Sequence, residues 1–92
     1  MTQVRYVVTY ESGPDVLELA PLHMAAHVDH YEDAAERGDL VAIGTFEQPE
    51  VNGSMCVLTT REAAERFAAT DPFVVHGVVR SFRVLEWRDV LG

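Results

Sequence analysis

Four histidines and one aspartate carry most of the chemistry open to this chain. His23, His27 and His30 fall at i, i+4 and i+7, so any helix that contains them presents all three on one face. An imidazole titrates near neutrality, which suits proton transfer, and a carboxylate at its second nitrogen fixes the tautomer and stabilises the cation. His27 with Asp71 would make one such pair, and nothing in their spacing shows that the two meet. Asp71 has a plainer role open to it as well, since an Asp before a proline such as Pro72 commonly makes a turn by bonding nearby backbone amides. His23, Tyr31, Phe73 and His76 are the candidates for contact with a ligand. For Tyr31 the competing duty is packing between helix and sheet, and for His76 it is that of a loop histidine with no role.

Two histidines one turn apart can chelate a metal. Here no acidic or cysteine ligand accompanies them at a recognised spacing, so no metal is assigned. Cys56 is the single cysteine and lies in the apolar run Met55-Cys56-Val57-Leu58. It cannot form an internal disulfide and reads as a small buried hydrophobe. Nothing in the chain resembles a phosphate-cradling glycine loop, a Ser-His-Asp order or a nucleophilic cysteine site, and no organic cofactor is expected.

Charge narrows the partners. The 92 residues hold fifteen acidic and seven basic side chains, a formal net charge of −8, with no lysine at all. Nucleic acid and anionic membrane surfaces are bound by neutralising phosphates with Lys and Arg, so neither is an expected partner. No stretch approaches the length of a membrane span. The N-terminal residues run into a strand pattern without a basic-then-apolar leader, which makes the cytoplasm the expected location.

The elements that must position these residues follow from periodicity. Val4 to Tyr10 is β-branched and aromatic and reads as a strand, ended by the turn residues Glu11 to Asp15. Helical character spans Asp15 to Arg37. Pro21 restricts the better helix to Pro21–Arg37, closed by Gly38. Asp39 to Phe46 and Ser54 to Thr60 are the second and third strands, joined by a loop containing Asn52-Gly53. Thr60 caps a second helix running to about Ala69, with Ala63, Ala64, Phe67 and Ala68 turned inward. Pro72 breaks it, Phe73 to Gly77 bridges, and Val78 to Trp87 is the last strand. The order β-α-β-β-α-β predicts one α+β domain of ferredoxin-like form, a four-stranded antiparallel sheet with two helices on one face. The first and last strands are apolar in both phases, so the other sheet face wants a cover; a homodimer packed sheet to sheet supplies it, and a ligand cavity is compatible with that.

Three features together resemble the YCII-related (YciI-like) family of the dimeric α+β barrel group. His27 stands eleven residues before the closing Gly38. The strand that follows carries a late glycine, Gly44. The segment Ala69-Thr70-Asp71-Pro72-Phe73-Val74-Val75-His76-Gly77 is similar to the family's Asp-Pro-Phe/Tyr run before the last strand. Two departures stand out: Met24 occupies a position where relatives often carry Arg, and Gly44-Thr45 stands where they often have Gly-Pro. The resemblance implies a pocket between the first helix and the sheet in which His27 faces Asp71. It also implies an activity, because a few relatives are dehydrochlorinase-type lyases that act on chlorinated hydroxyquinols through a His-Asp pair.

Two functions of different class follow as expectations. One is a cofactor-independent lyase- or isomerase-like enzyme that moves a proton on a small cyclic or phenolic molecule. The other is a non-catalytic small-ligand-binding or accessory dimer using the same cavity.

Overall fold

The computed structural model describes residues 2–92. Its elements run β1 (Gln3–Ser12), α1 (Val16–Glu36), β2 (Leu40–Thr45), α2 (Pro49–Asn52), β3 (Ser54–Leu58), α3 (Arg61–Thr70), α4 (Pro72–Val75) and β4 (Val79–Asp89). The four strands form one antiparallel sheet in the order β2-β3-β1-β4. This is the ferredoxin-like α+β arrangement that the alternation of strand and helix patterns predicts.

One face of the sheet carries Val8 and Tyr10 of β1, Cys56 and Leu58 of β3, and Phe82 and Val84 of β4. Against it packs α3, whose Ala63, Ala64, Phe67 and Ala68 are all buried. Small residues let this helix approach the sheet closely, and Phe67 fills the space that remains. The Thr60 hydroxyl accepts the Ala63 amide at 3.1 Å and starts the helix where its sequence signature lies.

Helix α1 differs from the expected Pro21–Arg37. It begins at Val16 and continues through Pro21 for 21 residues in all. Pro21 lacks the amide that would bond the Leu17 carbonyl, but Leu17 is exposed and water can take that carbonyl's free valence. The loss of one bond near a helix start is too small to break it. At the other end Gly38, with φ of 82°, donates to the Ala35 carbonyl at 3.0 Å and turns the chain into β2.

Two short helices replace expected loop. Pro49 and Pro72 each open one, as proline does at a first turn, where its missing amide costs nothing. Strand β4 runs two residues past Trp87, to Asp89, because its pairing with β1 continues as far as Gln3 opposite Asp89.

Among the described residues, no helix lies over the opposite face of the sheet. Val57, Val7 and Leu85 stand side by side across three strands there, with Trp87 opposite Arg5. Leu85 and Trp87 are 40% and 48% exposed. Among the described residues, no helix is long and apolar enough to cross a membrane.

Candidate functional site

Only two residues of the long α1 helix are buried, and one is His27. The core position that an apolar residue would ordinarily fill therefore holds an imidazole. Among the described residues, His27 and Asp71 are the only buried polar or charged side chains outside the core aromatics, and they are bonded to each other. His27 Nδ1 lies 2.8 Å from Asp71 Oδ1.

Asp71 has no exposed surface, and both of its oxygens have partners. The Phe73 amide donates to Oδ1 at 3.0 Å and the Tyr10 hydroxyl donates to Oδ2 at 2.7 Å. Asp71 thus caps α4 and bonds the histidine with the same oxygen. Burial pushes the carboxyl up, but the hydrogen bonds from His27, Tyr10 and the Phe73 amide outweigh it and hold Asp71 below its usual range. The carboxylate is ionised at neutral pH, so it accepts from His27 and the Nδ1–H tautomer is favoured.

Aromatic contacts fix the plane of the imidazole. Phe73 stacks on it with centroids 3.8 Å apart and planes 5° from parallel, and Tyr31 meets it edge-on at 5.2 Å. With Nδ1 committed, Nε2 is the remaining polar atom. No fully buried side-chain nitrogen or oxygen lacks a partner among the described residues, so Nε2 keeps some accessible surface, and His27 borders a cavity.

That space is a cavity of about 340 Å³ between α1, α4 and the β2–β3 side of the sheet. Met24, Ile43, Met55 and Phe73 make its lining mainly apolar, and Tyr31, Thr45 and Ser54 add hydroxyls. A wider depression of about 490 Å³ near the β1–α1 turn is bordered by Glu11, Asp15, Glu18, Glu50 and Arg80. All five are exposed, which leaves them ordinary solvated charges.

Of the residues singled out in the sequence, His27, Asp71, Tyr31 and Phe73 come together here. His23 and His76 do not line the cavity; they stack on each other with centroids 4.1 Å apart. His30 turns away to the Phe67 carbonyl, with its Nε2 2.9 Å from that oxygen. The three helix histidines thus take three separate partners, and among the described residues no cluster of three or more His, Cys, Asp or Glu could hold a metal ion.

Tyr10 and Cys56 also line the cavity and sequence reasoning missed them there, whereas Met24, singled out in the sequence as a departure from relatives, borders it as well. One signal for Tyr10 was available: it lies in the inward phase of β1, and a buried tyrosine needs a partner for its hydroxyl. Burial, then the charge of Asp71 and the bond to it, push that hydroxyl well above the ordinary phenol range. Tyr10 therefore acts as a donor that stays protonated. Cys56 is buried against the same cavity, and burial followed by the Asp71 charge pushes its thiol up to about 12. A thiol so held is no nucleophile at neutral pH.

Known structures share this architecture. A 5-chloro-2-hydroxyhydroquinone dehydrochlorinase from Burkholderia phenoliruptrix AC1100, in complex with 2,5-dihydroxybenzoquinone, superposes with a TM-score of 0.71 over 90% of this chain and 92% of that one, at 17% identity. Protein SO0527 from Shewanella oneidensis does so with a TM-score of 0.53 over 96% of this chain and 91% of that one, at 18% identity. At such identities the likeness concerns the fold. No curated protein matches the sequence. The family model for the YCII-related domain matches residues 4–88, nearly the whole chain, and the protein belongs to that family.

Proposed function

We propose that this protein is a lyase- or isomerase-like enzyme that transfers a proton on a small cyclic or phenolic molecule without an organic cofactor. The observation that carries the reading is a buried Asp71 bonded to Nδ1 of His27, a residue that borders a mainly apolar cavity. In this reading Nε2 takes a proton from an acidic O–H or C–H of the ligand. Asp71 stabilises the imidazolium that results, and the pair is oriented before the ligand arrives. The proton then returns to another atom of the ligand, or the electron pair expels a leaving group. The dehydrochlorinase neighbour acts, by its name, on a substituted hydroquinone. A ligand of that class suits a cavity with an aromatic wall and three hydroxyl groups.

The bare sheet face supports a further part of the proposal, a homodimer packed through Val7, Leu85 and Trp87. Sedimentation of wild type and a Leu85→Glu variant tests it, with a dimer expected for the first and a monomer for the second.

The enzymatic reading is tested by screening small phenols, quinols and their halogenated derivatives for turnover. His27→Ala and Asp71→Asn should each lower the rate by about two orders of magnitude or more while the chain stays folded. Ligands that bind at the cavity and are never turned over would favour the non-catalytic accessory domain instead.

A further inference from the structure

The charge environment of the cavity restricts its ligand more than its shape does. Among the described residues no arginine borders it, and the chain has no lysine. Five of the seven arginines are engaged elsewhere. Arg37 and Arg66 pair with acids around Asp39, Arg80 with Glu11, Arg88 with Glu86, and Arg61 lies over the Tyr6 ring. Among the described residues, the ionised group adjoining the imidazole is Asp71, a wholly buried carboxylate held by neutral donors and His27. While His27 is neutral, the site therefore holds an uncompensated negative charge behind an apolar wall, in a chain whose net charge is −8. A buried charge of that kind is poorly screened.

We propose that the site selects the uncharged form of its ligand and excludes carboxylates and ionised phenols. The inference rests on the proposed ring-binding, proton-transfer reading and adds the ligand's charge state to it. Two costs act against an anion. It would leave water for an apolar cavity with no cation to meet it, and it would stand next to a carboxylate of the same sign. A neutral hydroxyl-bearing ring incurs neither. Its oxygens can be met by the Thr45, Ser54 and Tyr31 hydroxyls, and it still carries the proton that Nε2 is placed to accept. An anion that has already lost that proton has nothing to give.

Met24 is the position at which this selection can be reversed. Its side chain borders the cavity and is 44% exposed, so a longer polar residue can enter without displacing the core. Three probes separate charge from size: hydroquinone, methyl gentisate and gentisate, the last a carboxylate at neutral pH. Affinities come from calorimetry, and shifts of the His27 ring signals by NMR report where each probe sits. Hydroquinone and methyl gentisate should bind and perturb His27, with gentisate about tenfold weaker or more than its ester. Met24→Arg should raise gentisate to the level of the ester or above it, and Met24→Gln, polar but uncharged, should keep the wild-type ranking. Equal binding of ester and acid to the wild type would overturn the charge selection and leave ring binding standing. An Arg variant that still prefers the ester would overturn its assignment to the missing cation on this wall. If none of the three perturbs His27, the ring-binding reading itself fails, and the selection with it.

Discussion

The Tyr10 hydroxyl donates to Asp71 Oδ2 across 2.7 Å, joining residues 61 positions apart in the buried interior. This bond settles which oxygen of Asp71 faces the histidine. With Oδ2 taken by the phenol, Oδ1 is left for His27 and the Phe73 amide. A strand, a helix and a helix cap thereby meet on one carboxylate.

Tyr10→Phe keeps the ring and removes the donor. It leaves one lone-pair region of a buried carboxylate unfilled, which should cost about 1–3 kcal/mol of stability in urea unfolding. It should also loosen the orientation of the imidazole, seen by NMR as a less uniform His27 tautomer. A variant as stable as wild type, with an unchanged tautomer, would show that Tyr10 only fills space.

Acid stability should depend on Asp71. Its carboxyl is held below the ordinary range in the folded chain, so the folded state binds that proton less tightly than the unfolded state does. The carboxylate therefore stabilises the fold above the ordinary carboxylate range, and that contribution is lost as pH falls through the lowered folded value. Asp71→Asn should be less stable than wild type at neutral pH by about 1.5–3 kcal/mol, the worth of hydrogen bonds to a charged group. The gap between the two should narrow as pH drops below the carboxylate range in a series of denaturant titrations.

Cys56 should resist alkylation. It is 2% exposed and its thiol is pushed up to about 12, so little thiolate forms at moderately alkaline pH and reagent cannot reach it. Iodoacetamide should leave the folded protein unmodified by mass spectrometry and label it once in strong denaturant. Rapid labelling of the native chain would contradict the buried placement of this side chain beside the cavity.

Gly53 should tolerate no side chain. Its φ of 75° and ψ of −151° lie in a region almost confined to glycine, and a Cβ there would stand 2.0 Å from the Tyr10 carbonyl oxygen. Gly53→Ala should lower stability by about 2 kcal/mol or more in thermal or urea unfolding. Because the clash falls on the backbone of Tyr10, the His27 ring signals should shift as well.

Much of the frame was legible because it is local. The Thr60 cap, the inward row Ala63, Ala64, Phe67 and Ala68, and the closing Gly38 each follow from residues a few positions apart and stand where their patterns put them. The β-branched run of β1 is a strand that continues through Glu11 and Ser12, which read as turn. Pro21 and the two short proline-led helices were less legible. A proline marks the cost of continuing a helix or the ease of starting one, and the surroundings decide which effect prevails.

The site divides along the same line. The sequence by itself placed a histidine on a helix and an aspartate before a proline, because residue type and local spacing carry that information. Their pairing was implied by the family resemblance alone. Only the tertiary structure decided what they meet. His23, His27 and His30 share a helix face, yet packing sends the first to His76, the second to Asp71 and the third to the Phe67 carbonyl. Tyr10 reaches Asp71, and Met24 meets Ile43 and Met55 around the cavity, only once sheet and helices close on one another. These are contacts between distant parts of the chain, and no periodicity within a segment encodes them.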